Sequence, residues 1–361
     1  MVYPLIPHFL IEALGGNRFH LGIIEGFADS VASLLKLWSG AWSDRAGRRK
    51  RFVVVGYTLA VVARPVIGLV VAPWQLFVAR AADRIGKGIR TSPRDALIAD
   101  STDPAIRGQA FGFHRAMDHL GAAIGPLIAA AFLWRWPAEL RTLFILSLVP
   151  GLLVLLLLRF GLQEPSSLQS SPGRRQLSPR RLGRNFRLFL FSVAVFTLGN
   201  SSDAFLLVRA AELGVSIAML PLVWFAFHVV KSVTNLFAGR LVDRLGPRRP
   251  ILLGWVGYAG IYLGFGWSTA AWQAITLFFV YAVFFSLTEP AEKTLVVNLV
   301  GDEGKGVAFG WYNFAVGMVA LPSSLIFGAL YERFGPRMAF GFGAASAAVA
   351  VLLFTAVGHD D

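Results

Sequence analysis

The stretch GAWSDRAGRRK, residues 40–50, lies between two long apolar runs and returns as GRLVDRLGPRR at residues 239–249. Two further anchors repeat at almost the same distance. RGQAFGFHR at residues 107–115 returns as KGVAFGWYN at 305–313, and the pair Trp74, Gln75 returns as Trp272, Gln273. The three offsets are 199, 198 and 198 residues. Self-similarity at a fixed offset reports architecture directly, and here it divides the chain into two related halves.

Composition says what each half is made of. The chain has 361 residues, of which 55% are hydrophobic and 15% charged. A soluble core does not need that much apolar material. One bilayer span takes about 20 mostly apolar helical residues, and twelve apolar runs are legible, at 1–14, 19–43, 51–71, 74–98, 108–133, 140–161, 186–209, 216–241, 250–268, 271–298, 306–330 and 337–357. The first is short: 14 residues make about 21 Å of helix against a hydrocarbon core of about 30 Å. It reads as the back half of a span, from a start assigned too late or a shortened form.

The formal net charge is +13, which in a soluble protein points to nucleic acid. Here most of the basic residues outside the runs fall in alternate loops, with Arg45, Arg48, Arg49, Arg107, Arg244 and Lys305 on one side and little more than Arg18, Arg135, Arg141, Arg333 and Arg337 on the other. That pattern marks the cytoplasmic face of a multi-pass protein, predicts a cytoplasmic C-terminus and places the chain in a bacterial inner membrane, with lipid as a partner and no nucleic acid. Residues 163–185, QEPSSLQSSPGRRQLSPRRLGRN, lack any apolar period and read as a basic cytoplasmic linker between halves at 1–162 and 186–361. Cysteine is absent, which excludes disulfides, thiolate metal sites and cysteine nucleophiles. No phosphate-binding GxxxxGK followed by Ser or Thr, no HExxH and no GxSxG occurs, so neither an enzyme, a nucleotide-driven pump nor a cofactor or metal is expected.

The element GxxxDRxGRR at residues 40–49, weakly echoed at 239–249, resembles the loop signature of the major facilitator superfamily. Arg80, Asp83 and Gly86 are similar to that family's fourth-helix arginine motif, with Arg84 where the pattern often has Gly. GAAIGP, residues 121–126, resembles the GxxxGP element of its exporters through Gly121, Gly125 and Pro126. The resemblance covers essentially the whole chain. It implies an all-α membrane protein of 12 transmembrane helices in two pseudo-symmetric six-helix bundles, the first helix truncated, working by alternating access on a small solute. The exporter element implies efflux.

Physical chemistry gives these residues work to do. Carboxylates stabilise helix N-termini and cations C-termini, so Asp44 with Arg45, Arg48 and Arg49 is suited to latch helix ends in one access state, with Gly40 and Gly47 permitting close approach and a tight turn. Gly239, Asp243 and Arg244 repeat the arrangement, more weakly because Pro247 replaces an arginine. Plain positive-inside anchoring is the competing reading. A lone charge at mid-bilayer costs at least about 2.5 to 3.5 kcal/mol and so normally faces a cavity or a partner. Glu25, Asp29 and Lys36 share one helical face, as do Arg80, Asp83, Arg84 and Lys87, and Arg115, Asp118 and His119. With Glu289 these supply the candidate substrate and proton cavity: Glu25, Asp29, Arg80, Asp83, Arg84, Arg115, Asp118 and Glu289.

Within that set Glu25, Asp29, Asp83 and Asp118 are candidates to load and release protons. The alternative is static ion pairing, Asp83 with Arg80 or Arg84. His114 and His119, five apart, sit on different helix faces and do not suit a shared metal. Trp224, Phe225, His228, Phe284, Phe285, Trp311 and Tyr312 offer an aromatic wall in the second half, fit for an amphiphile or for helix packing. The expectation is a monomeric, proton-coupled secondary carrier exporting a small organic solute, anionic or amphiphilic. An uptake carrier using Arg80, Arg84 and Arg115 to hold an anionic metabolite, and a transport-dead sensor on the same fold, are the alternatives.

Overall fold

The computed structural model describes residues 5–6, 9–16, 18–136, 138–164, 182–200, 203–216, 219–301 and 304–358. The first apolar run contributes a short π-helical turn, Phe9–Ala13. After it come α1 (Arg18–Ala46), α2 (Arg49–Val66), α3 (Pro73–Asp100), α4 (Arg107–Arg135), α5 (Leu140–Leu146), α6 (Leu148–Phe160), α7 (Arg184–Gly199), α8 (Ala204–Glu212), α9 (Leu220–Leu245), α10 (Arg248–Trp267), α11 (Ala271–Val300), α12 (Lys305–Phe334) and α13 (Pro336–Thr355). No strand occurs among the described residues. Helices are what a lipid-embedded chain must form, because each backbone polar group has to be satisfied within its own segment.

Seven helical stretches among the described residues are long and apolar enough to cross a bilayer, including Arg49–Leu69, Pro104–Arg135, Leu140–Phe160 and Lys305–Phe334. Helix α3 has the length but carries its charged stripe through the middle.

Two runs that read as single spans are interrupted. Residues 140–161 divide at Ser147, whose hydroxyl donates to the Phe144 carbonyl at 2.6 Å. Residues 186–209 divide after Gly199, where Asn200 is already non-helical. Asn and Ser offer the backbone local hydrogen bonds that compete with a helix; at Ser147 these stay local, whereas after Gly199 tertiary partners take over. Tyr258 donates its hydroxyl to the Gly199 carbonyl at 3.1 Å, and Tyr281 donates to Asp203 Oδ1 at 2.7 Å.

Contacts group the chain into two compact units. One holds residues 1–101, 124–177 and 304–314; the other holds 102–123, 178–303 and 315–361. In the first unit α3 packs on α1 and α2. Its core joins Phe9, Leu10, Ile67, Leu76, Leu143 and Phe144, with the Phe9 and Phe144 rings 5.1 Å apart. In the second unit α10 packs on α11 and α13, and the core is aromatic. Phe196 stacks on Trp255 at 4.8 Å, Tyr258 on Tyr262 at 4.0 Å and Phe227 on Phe278 at 4.4 Å. Such offset pairs add about 0.5 to 1.5 kcal/mol each beyond their buried area.

The sequence repeat carries through to equivalent contacts. Gln75 accepts from the Val71 amide at 2.7 Å, and Gln273 accepts from those of Thr269 and Ala270 at 2.8 and 3.2 Å, each closing the turn ahead of its helix. The turn ahead of each of these helices is also held by an arginine, from positions that the repeat does not relate: Arg141 donates to the Gly68 and Val70 carbonyls, and Arg209 to those of Phe265 and Ser268.

Candidate functional site

Three constellations carry chemistry. The first lies where α1 ends. Gly47 turns the chain with φ +59°, in the left-handed region that favours glycine. One turn before it, the Asp44 carboxylate accepts the Gly306 and Val307 amides at 3.0 and 2.9 Å, capping the first turn of α12. Both parties sit in the first unit. The approach needs two glycines: a Cβ on Gly306 would lie 2.5 Å from the Gly40 carbonyl oxygen. An ionic chain is added, in which Arg49 pairs with Asp44 at 2.9 Å and with Asp100, and Lys305 reaches Asp100 at 3.0 Å. These four side chains are at most 8% exposed, so each charge depends on the others for solvation.

The repeat partner has the same geometry, without a salt chain among the described residues. Within the second unit Asp243 accepts the Gly108 and Gln109 amides at 2.6 and 2.9 Å, at the start of α4, and a Cβ on Gly108 would lie 2.5 Å from the Gly239 carbonyl oxygen. Arg244 and Arg249 are exposed. The same holds for Arg45 and Arg48 in the first set, so of the three signature arginines Arg49 alone is buried. The N-terminus of α2 is capped separately: Glu164, the last described residue before 165–181, accepts the Arg49 and Lys50 amides at 2.6 and 3.0 Å.

The second constellation is a cavity of about 710 Å³ in the first unit, between α2, α3 and α6. Arg64, Arg80, Arg84 and Lys87 line it, with Asp83 the one carboxylate among its described lining residues. Asp83 is buried and receives Arg64 Nε at 2.9 Å and Arg80 Nη1 at 3.3 Å. The described side chains that line the cavity sum formally to +3.

The third sits in the second unit and joins α4, α9 and α11. His119 Nε2 lies 3.0 Å from Glu289 Oε2, and His119 Nδ1 lies 3.1 Å from His228 Nδ1. Asn235 Nδ2 donates to the same carboxylate oxygen at 3.0 Å. The buried Lys231 ammonium lies 4.1 Å from the Phe285 ring centre.

Comparison with known proteins decides what these sites belong to. The sequence profile described as Major Facilitator Superfamily matches residues 1–318 and, as a second match, 188–360. The chain belongs to this superfamily. A relative described as the uncharacterized MFS-type transporter MJ1317 of Methanocaldococcus jannaschii is 29% identical over 359 residues, covering 98% of this chain and 89% of that protein. The multidrug resistance protein MdtH of Cronobacter sakazakii is 24% identical over 86% of this chain and 77% of its own length. Among solved structures, the proton:xylose symporter XylE shares the fold, with a TM-score of 0.77 and 15% identity over 99% of this chain and 91% of that one. The protein is thus a membrane transporter with the all-α superfamily fold.

Within that fold the candidate residues separate. Arg80, Asp83 and Arg84 come together around the cavity, joined by Arg64, which its place in an apolar run 16 residues earlier did not advertise. Arg115 and Asp118 lie 3.7 Å apart on α4, with the Asp118 side chain 46% exposed. Glu289 is gathered with His119 and His228, a grouping that three separate helices conceal in the sequence. The side chains of Glu25 and Asp29 lie outside the described residues. A Cβ on Gly121 would meet nothing within 4 Å, whereas Gly108 and Gly112, earlier on α4, receive the backbone of Gly239 and Asn235. His114 sits 3.7 Å from Asp118, away from the pairing of His119 with His228.

Proposed function

We propose that this superfamily member is a proton-coupled secondary carrier that exports a small organic anion from a bacterial cell, rocking two six-helix halves, 1–162 and 186–361, about a linker at 163–185. The observation that carries the substrate class is the cavity of about 710 Å³ lined by Arg64, Arg80, Arg84 and Lys87 against Asp83. Four cationic side chains against one described carboxylate give this lining a cationic bias, which suits an anionic ligand. A carboxylate or phosphate held by arginine forks is bound bidentately and strongly. In this reading Asp83 anchors the arginines rather than carrying protons.

Export is supported by the GxxxGP element and by the likeness to a multidrug resistance protein. The Asp44 and Asp243 caps supply the gating chemistry: each holds a helix start by two hydrogen bonds from backbone amides, and withdrawal of either helix breaks both at once. The basic loops support a cytoplasmic C-terminus and an inner-membrane location.

The test is accumulation of labelled organic anions and cations in everted membrane vesicles energised by a pH gradient. The carrier is expected to concentrate anions in these vesicles, the equivalent of export, and Arg84→Gln to weaken that by roughly tenfold or more, one lost charge-assisted contact being about 1.5 to 3 kcal/mol. Accumulation of cations alone, or of anions only in right-side-out vesicles, overturns the reading.

A further inference from the structure

The grouping of His119, His228 and Glu289 has a property that an ordinary buried ion pair lacks: its hydrogen bonds have two complete and opposite settings. We propose that these three side chains form a proton relay, which loads one proton onto Glu289 from the His228 end. A role in driving transport rests on the carrier reading above; the relay itself does not.

The argument is one of hydrogen-bond parity. A neutral imidazole has one N–H and one lone pair. The contact between His119 Nδ1 and His228 Nδ1, 3.1 Å, therefore needs one ring to donate and the other to accept. With Glu289 ionised, His119 donates from Nε2 to Oε2, its Nδ1 is a lone pair, and His228 must donate from Nδ1. That leaves His228 Nε2 as an acceptor at the end of the chain.

Suppose a proton arrives at His228 Nε2. His228 passes its Nδ1 proton to His119 Nδ1, and His119 passes its Nε2 proton to Glu289 Oε2. One proton has entered and one carboxyl has formed; both rings are again neutral, each in the opposite tautomer. Glu289 now donates to His119 Nε2, and His119 donates from Nδ1 to His228 Nδ1. Both hydrogen bonds that join the three side chains are retained with their direction reversed, so the contacts within the relay are equally satisfied in either setting. That equality is what a reversible carrier of protons needs, since an unmade buried hydrogen bond otherwise biases one state.

The surroundings suit the task. The side chains of His119 and Glu289 are each 11% exposed, too little for a solvated surface pair. The charged and titratable groups facing the relay come from each element packed on it. Lys231 on α9 and Arg115 on α4 act electrostatically on Glu289, as does the Tyr281 hydroxyl on α11. His114 and Asp118 lie farther back on α4, 3.7 Å from one another. Lys293 follows Glu289 on α11 and lies against Phe111, and Glu292 accepts from the Trp255 indole at 3.2 Å. Asn235 holds the acceptor oxygen in place.

Purified protein in detergent tests this without a substrate. A pH titration followed by infrared spectroscopy is expected to show a protonated-carboxyl band that Glu289→Gln abolishes. Nitrogen NMR of labelled imidazoles is expected to show His119 and His228 exchanging tautomers over the same pH interval. After a pH jump, His119→Gln is expected to slow formation of the carboxyl band by roughly 100-fold, the lower range for removing a positioned proton-transfer group. Wild-type rings that keep their tautomers through the titration, a carboxyl band that survives Glu289→Gln, or an unchanged rate in His119→Gln each overturns the relay. The wild-type NMR result stands even if a variant fails to fold. Absence of anion transport, by contrast, sinks the carrier reading and leaves these measurements untouched.

Discussion

Asp83 shows how a single side chain sets the character of a site. Its spacing from Arg80 on one helix made that pair legible in the sequence, because residues three apart share a face. Arg64 was not legible, since a lone arginine within an apolar run has no periodic partner; only the packing of α2 on α3 brings it to 2.9 Å. Removing the charge leaves Arg80 buried without its carboxylate, and breaking a buried pair on one side costs about 3 to 5 kcal/mol. Arg64 is 44% exposed and can turn to water, so the lower end applies. Asp83→Asn should therefore lower the thermal unfolding midpoint in detergent, and combining it with Arg80→Gln should restore part of the loss. An unchanged midpoint in the single variant would show that the pair is solvated and contributes nothing.

Among elements, the two helix starts held by Asp44 and Asp243 differ in strength for a stated reason. Both carboxylates accept two amides, but only Asp44 is tied by Arg49 and Asp100 to Lys305. Asp44→Asn should free the start of α12 more than Asp243→Asn frees the start of α4. The chain has no cysteine, so a thiol placed at the fully buried Ser92, beside Asn313 of α12, is a clean reporter. Maleimide labelling of Ser92→Cys is expected to be slow and to rise several-fold when Asp44→Asn is added. Equal labelling with and without Asp44 would show that the cap does not hold that helix. The twelve apolar runs anticipated most helices, yet not the divisions at Ser147 and Asn200. Hydropathy reports which segments leave water, whereas a break depends on whether partners such as Tyr258 and Tyr281 satisfy the freed backbone and side chains.

For the whole molecule, the loop charges predict topology: a C-terminal fluorescent fusion should light up and a C-terminal alkaline phosphatase fusion should stay inactive, with the reverse outcome inverting the assignment. The fold class and the repeat were readable in the chain, and so was the placing of Asp44 and Asp243 at helix ends, though not which helix starts they hold. Each depends on local periodicity or on identical letters recurring at one offset, and such signals survive without coordinates. The sequence alone also marked Arg80, Asp83, Arg84 and Glu289 as costly to bury. Tertiary structure alone decided who answers that cost: Arg64 for Asp83, Lys305 with Arg49 for Asp100, and His119 with His228 for Glu289. A charge in a span announces that it needs a partner, but any partner on another helix satisfies it equally, and which helix delivers one is settled by packing.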